Sequence, residues 1–157
     1  MTHRDYPVWL EDSYAVDSEG VRSYARATRS PHVPYAMSRV VPADSPVPSL
    51  IVAQPVFRTA VSMMSEEIED FTVSRLLHVA QTVRQVAPLR IGDVCSIGAR
   101  ITDRLTKAGI DLFEVDCVVT VGDDVRIETS STVAYAADAE IPVEVAAEGV
   151  VMHGSVL

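Results

Sequence analysis

The sequence predicts an α+β fold in which one long helix is covered by an antiparallel sheet. Three observations lead there. Leu50 to Glu69 carries apolar residues at helical spacing, four stretches after Ser74 alternate and are rich in β-branched residues, and hydrophobic residues make up 48% of the chain, enough for a core. With 157 residues the chain fits one domain, 1–157, of which 137–157 reads as a C-terminal extension.

Taken in order, Asp17 to Ala27 reads as a helix. Asp17 or Ser18 can cap its N-terminus, and Val21, Tyr24 and Ala25 fall on one face. Thr28 to Ser49 is a loop with five of the nine prolines, Pro31, Pro34, Pro42, Pro46 and Pro48, which exclude a regular helix or a central strand. Long loops in compact domains are often functional. Leu50 to Glu69 is the main helix, with Pro55 suited to its first turn and Phe57, Ala60, Val61 and Met64 on a shared face. Its acidic end, Glu66, Glu67, Glu69 and Asp70, opposes the helix dipole and is expected at the surface.

From Ser74 the period becomes that of strands. Leu77 to Val86 alternates around His78, Gln81 and Arg84, and Pro88 to Asp93 is a turn containing Gly92. Val94 to Leu105, Leu112 to Val121 and Val125 to Ala136 are long strands, separated by turns at Lys107 to Gly109 and Gly122 to Asp124. Short connections make these three an antiparallel meander, one face of which the long helix must cover. In the tail, Val143 to Ala147 and Val150 to Met152 fit short strands or a segment lying on a partner.

Composition removes several functions. The net charge is −9 and the 13 Lys and Arg are dispersed, so no basic face is available for nucleic acid. An acidic carrier protein would be repelled except at a local basic patch, for which Arg75, Arg84 and Arg90 are candidates against ordinary solvated charge. Cys95 and Cys117 lie in apolar alternating segments without a Cys or His at metal-ligand spacing, so they read as buried reduced thiols and no metal is expected. No nucleotide loop or Ser-His-Asp arrangement points to a cofactor or a serine hydrolase. Met1 to Leu10 is polar and charged, unlike a signal peptide, and no apolar run would span a membrane, so a cytoplasmic protein without a membrane partner is expected. Mean hydropathy is +0.18, which suggests apolar surface covered by a second subunit or lining a ligand tunnel.

A helix followed by a long antiparallel meander resembles a hotdog fold in sequence. Three segments sharpen the resemblance: Val16 to Thr28, Ile51-Val-Ala-Gln-Pro-Val-Phe57, and above all Leu77 to Val94 with its Pro-Leu-Arg-Ile-Gly-Asp turn. They are similar, in order, to the N-terminal helix, the start of the central helix, and the strand–turn–strand of the MaoC-like dehydratase family. Within it they most resemble the FAS1-like accessory subunits of (3R)-hydroxyacyl-carrier-protein dehydratases, over roughly Tyr14 to Ala136. The resemblance implies an acyl-CoA or acyl-carrier-protein substrate, and a homodimer or a heterodimer with a catalytic hotdog subunit.

Catalytic members of that family carry Tyr-x-x-x-Thr-Gly-Asp-x-Asn-Pro-x-His, whose Asp and His add or remove water beside a thioester. That chemistry needs two proton-handling groups held close together. Here Tyr24 and Thr28 match, but Arg29 stands at the Gly, Ser30 at the Asp, His32 at the Asn and Tyr35 at the His. Ser30 and Tyr35 are poor bases near neutral pH. Accessory members have lost the same dyad, often with Tyr at the His position, so Tyr35 favours a partner-dependent protein.

His32 titrates near physiological pH and is the candidate for a rebuilt base, against the plainer role of a surface loop histidine. His78 and Gln81 are candidates for ligand contacts or for ordinary packing, and Phe57, Met63 and Met64 for an acyl tunnel or plain core. By the resemblance, the Gln54 region opens the central helix, and the backbone amides of Val56 and Phe57 would polarise a thioester carbonyl there. Four functions remain: an accessory dehydratase subunit, a stand-alone hotdog enzyme in polyketide or other secondary metabolism using His32 with Tyr35 or Ser30, an acyl-thioesterase, and a scaffold. The thioesterase ranks last, because Gln54 to Thr59 holds no acidic residue.

Overall fold

The computed structural model describes residues 5–30, 41–42, 45, 47–107 and 109–136. His32, Tyr35 and the tail segments within 143–152 lie outside the described residues. The expected architecture is present: a five-stranded antiparallel sheet curls around one long helix, as in a hotdog fold. The elements are β1 (Val8–Ala15), α1 (Ser18–Ala27), α2 (Ala53–Glu67), β2 (Leu76–Gln85), β3 (Val94–Lys107), β4 (Ile110–Val121) and β5 (Asp124–Ala136). Two 3-10 turns, Ser49–Val52 and Val73–Arg75, lead into α2 and β2.

Asp17 caps α1 as expected, its carboxylate accepting from the Gly20 amide at 2.7 Å. At the other end the Arg29 amide donates to the Arg26 carbonyl and the Ser30 amide to the Ala25 carbonyl, with Arg29 left-handed at φ +51°. This pair of bonds is a Schellman turn, a position where glycine is usual. The family's Gly at the Arg29 position therefore has a backbone reason, and this chain keeps the turn without it.

The helix α2 packs on β3, β1 and β4. Its buried residues are Val56, Thr59, Ala60, Met63 and Met64, so the core face is rotated from the expected Phe57, Ala60, Val61 and Met64. Thr59 explains the difference. Its hydroxyl donates to the Pro55 carbonyl at 2.9 Å, which satisfies it inside the core. Phe57 is 40% exposed, at the rim of the buried face.

The strand order is β1-β3-β4-β5-β2. The meander of β3, β4 and β5 matches the sequence reading. Two features go beyond it. The strand β1 was not anticipated, because its pairing with β3 is interrupted between Leu10 and Tyr14, where Asp12 takes φ +47° and breaks the alternation. And β2 does not pair with β3 across the Pro88–Asp93 turn; it crosses to the free side of β5. That turn is tied elsewhere. Gly92 is left-handed at φ +95°, its amide donates to the Val16 carbonyl, and the Asp93 carboxylate accepts from the Arg90 amide at 2.7 Å.

The inner sheet face supplies the core, including Ile97, Phe113, Val115, Val119, Ile127 and Tyr135. Phe71 stacks on Tyr135 at 5.4 Å, and the Thr72 amide donates to the Tyr135 hydroxyl, which anchors the link from α2 to β2. On the outer face Tyr6 and Trp9 close over Gly98, where an added Cβ would meet the Trp9 ring at 2.7 Å. No helix among the described residues is long and apolar enough to cross a membrane.

The left-handed Arg29 generates a prediction. A non-glycine residue there costs about 1–2 kcal/mol relative to glycine, so Arg29→Gly is expected to raise unfolding free energy by about 1 kcal/mol in urea titration. An unchanged or lower midpoint would show that the Arg29 side chain compensates for its backbone.

Candidate functional site

Between α2 and the strands β2, β4 and β5 lies a cavity of about 300 Å³. The helix wall consists of Ala53, Gln54, Val56, Phe57, Ala60, Val61 and Met64. The strand wall comes from β2 through Leu76, His78 and Gln81, from β4 through Cys117, and from β5 through Ser131 and Val133. The size is at the small end of ligand pockets, and a mostly apolar lining with a few polar groups is typical of them.

Six of the sequence candidates come together here: Gln54, Val56, Phe57, Met64, His78 and Gln81. Met63 does not. It is buried on another side of α2 and borders a separate hollow with Glu67, Arg104 and Phe113. Ser30 is not in the lining either; its amide closes the end of α1.

Val56 and Phe57 line the cavity, but not through free terminal amides. The helix begins at Ala53, two residues before Pro55, with Val52 as its N-cap. Val56 is then the first residue whose N–H has an intrahelical carbonyl to bond, and Phe57 follows it. The Ala53 amide donates to Leu50 in the preceding 3-10 turn, and Pro55 has no N–H. Of the first helical residues, Gln54 is thus the one that brings both a backbone N–H and a polar side chain to this end.

The side chain of His78 rests against Phe57, ring centroids 6.4 Å apart and planes tilted by 37°. Gln81 pairs across the ladder with Ser131, and Val83 with Thr129, whose other neighbour is Cys117. Cys117 and Ser131 were not singled out as site residues. They come from strands far along the chain, and the only signal in the sequence was inward parity on β4 and β5.

Both thiols are free and buried. Burial pushes Cys117 up to about 12, opposed by the neighbouring Thr129 hydroxyl and reinforced by the charge of Asp116. Cys95 is raised to about 11, again chiefly by burial, with Asp93 adding and Arg126 opposing. Neither is a nucleophile near neutral pH, since the thiolate is the reactive form. Among the described residues no cluster of His, Cys, Asp and Glu could hold a metal ion. Arg84, a candidate for carrier docking, is paired with Glu128 on the outer face. Arg75 has an interaction of its own, so neither is an uncommitted cation.

Residues 8–130 match the family model described as the FAS1-like dehydratase domain region, which takes in β1 as well as the segments noted above. No curated protein matches the sequence. Among solved structures, HtdX of Mycobacterium tuberculosis superposes with TM-score 0.65 at 19% identity, over 82% of this chain and 50% of that one. The chain thus spans about half the length of HtdX. The C-terminally truncated HadBC (3R-hydroxyacyl-ACP dehydratase) complex from the same organism gives TM-score 0.62 at 17% identity, covering 82% of this chain and 91% of that one. A Thermus thermophilus thioesterase bound to coenzyme A and zinc gives 0.58 at 11% identity, covering 87% and 92%. At these identities the likeness establishes the shared fold.

The thiols give a pH prediction with a definite sign. In the unfolded chain both ionise near 9, whereas the folded chain keeps them protonated to about 11 and 12. The unfolded state therefore releases protons first, and their contribution to stability is complete below about 9 and declines as pH rises beyond it. The melting temperature is expected to fall between pH 9 and 11, less steeply in Cys117→Ala, and native protein at pH 8 should leave both thiols unalkylated by iodoacetamide. Rapid native alkylation would contradict the burial described.

Proposed function

Because the chain belongs to the FAS1-like dehydratase region family, we propose that it is an acyl-thioester-binding hotdog protein acting as an accessory, partner-dependent subunit of a (3R)-hydroxyacyl dehydratase. The observation that carries this is the cavity beside α2. At about 30 Å³ per water-sized group, its volume holds roughly ten heavy atoms, the scale of a modest acyl group. Among the described residues, its lining has no carboxylate.

Dehydration of a 3-hydroxyacyl thioester requires one group to take a proton from C2 and another to protonate the departing hydroxyl. Among the described residues of this lining the ionisable side chains are His78 and a Cys117 thiol that stays protonated. In sequence, Ser30 and Tyr35 occupy the positions where catalytic members carry Asp and His. A protein with a thioester pocket and an incomplete acid–base pair is best suited to binding the acyl group while a second hotdog subunit supplies the chemistry. HadBC, which shares the fold, is a (3R)-hydroxyacyl-ACP dehydratase complex.

The partner would dock along β2. That strand is at the end of the sheet order, with a neighbour on one side only among the described residues. Val79 is 55% exposed on it, and Phe57 and Val73 stand exposed beside a shallow hollow on the same flank of α2. An exposed apolar edge of this kind invites strand pairing unless a partner covers it.

Two measurements test this function. The purified chain alone is expected to leave enoyl- and 3-hydroxyacyl thioesters unchanged by mass spectrometry, and turnover should appear with a hotdog partner that retains Asp and His. Turnover by the chain alone that drops about a hundredfold or more in His32→Ala would instead establish a rebuilt active site, and release of free acid would establish a thioesterase. The second measurement concerns the interface. Val79→Lys is expected to shift the assembly to monomer in size-exclusion chromatography while leaving the melting temperature of the monomer intact.

A further inference from the structure

The outer face of the sheet, turned away from α2 and the cavity, divides into three zones. On the β1 side Tyr6 and Trp9 close over Gly98. In the middle Arg100 pairs with Asp116 at 3.3 Å, Arg84 with Glu128, and the Thr132 hydroxyl donates to the Glu114 carboxylate at 2.7 Å. Polar residues of this kind are usual where one face of an antiparallel sheet meets water. The third zone, toward the β3–β4 hairpin, has the opposite character. Leu105 pairs with Leu112, Leu112 with Ala134, and Ala134 with Leu77, which makes an apolar row across four strands. Ile110 and Ala136, paired with each other, extend it toward the hairpin.

This row is separate from the core. Phe113, Val133 and Tyr135 belong to the core cluster, and their chain neighbours Leu112 and Ala134 point the other way. On β2 a bulge contributes. His78 pairs with Val133 and Ala80 with Thr132, so two steps on β2 are matched by one on β5, and the extra residue is Val79. The slip lets Leu77 share the outer face with Ala80, three residues on, while His78 turns to the cavity. Leu105 is 57% exposed and Ile110 42%, and Leu77 and Leu112 are half-buried. A contiguous exposed apolar row marks a surface that something covers.

The chain itself carries a suitable cover. The strand β5 ends at Ala136, inside this zone, and residues 137–157, outside the described residues, follow it. In them Ile141, Val143 and Val145 alternate with Pro142 and Glu144, which gives an extended segment one apolar side. The lengths agree: Leu105 to Leu77 is three inter-strand spacings, about 14 Å, and five extended residues span about 13 Å. Residues 137–140 reach up to about 13 Å from the last paired residue, enough to reverse direction. The charges agree too. Asp138, Glu140 and Glu144 are acidic, and Lys107 stands beside Ile110 at the margin of the zone. A second copy would instead bring another net charge of −9 to this face.

We infer that residues 141–145 lie across the row of Leu105, Leu112, Ala134 and Leu77 as a strap, with Ile141, Val143 and Val145 toward the sheet and Glu144 toward water. The strap sits on the face opposite the cavity, so it stands independently of the acyl-thioester function proposed above.

The test is thiol alkylation of the full chain carrying Leu105→Cys. Because Cys95 and Cys117 are buried, iodoacetamide reports on the new thiol. It is expected to react about tenfold or more slowly than the thiol of Leu10→Cys, an exposed position outside the row, because it is reached only while the strap is lifted. Adding the uncharged changes Val143→Asn and Val145→Asn to Leu105→Cys should bring its rate up to that of Leu10→Cys. Ile110→Cys, also at an exposed position, gives the same readout should Leu105→Cys fail to fold. Equal rates with and without the two tail substitutions overturn the inference. If both rates are slow and fall further as protein concentration rises, a second copy is the cover instead of the strap.

Discussion

Burial of the Val56–Met64 face of α2 against the inward side chains of the sheet determines both where the sheet closes and where it stays open. On one flank β3 and β1 meet the helix directly, with Met63, Phe113 and Ile97 fully enclosed. On the other flank the outer strand β2 stands away from the helix, and the space left between them is the cavity. A dense core and a cavity thus lie on two sides of the same helix. Met63 and Met64, adjacent in sequence, illustrate this: Met63 borders a separate hollow shared with Phe113, while Met64 lines the cavity.

The path of the chain reinforces this division. After α2, the stacking of Phe71 on Tyr135 carries the chain to the far side of β5, so β2 enters as an edge rather than as the first strand of a hairpin. An edge strand has fewer neighbours to enforce its register, and a bulge is tolerated there more readily than in the centre of a sheet. The openness that leaves Phe57 and Val79 exposed is therefore linked to the irregularity that turns His78 inward. The cavity wall and the proposed docking edge are two aspects of one strand.

The end of α1 shows how shape and chemistry separate. Thr28, Arg29 and Ser30 retain the Schellman closure although Arg29 must hold a left-handed backbone. Ser30 and Tyr35 stand at the positions that the resemblance aligns with the Asp and His of catalytic members, yet the turn that launches the motif loop persists. That combination is in keeping with the accessory role proposed for this chain.

Much of this was legible in the amino-acid sequence. The α1 cap at Asp17, the long helix, the three-strand meander and the Gly92 turn all follow from local rules of capping, period and backbone freedom. Six lining residues were also within reach, because a central helix and the strand after it present their side chains in predictable order. What only the tertiary structure decided depends on contacts distant along the chain. The placement of β2 beside β5, the rotation of the α2 face by a self-satisfied Thr59, and the arrival of Cys117 and Ser131 in the cavity have no local signature. The bulge at Val79 is the clearest case: a one-residue slip in pairing reverses the direction of a side chain, and pairing is set by the partner strand rather than by the strand itself.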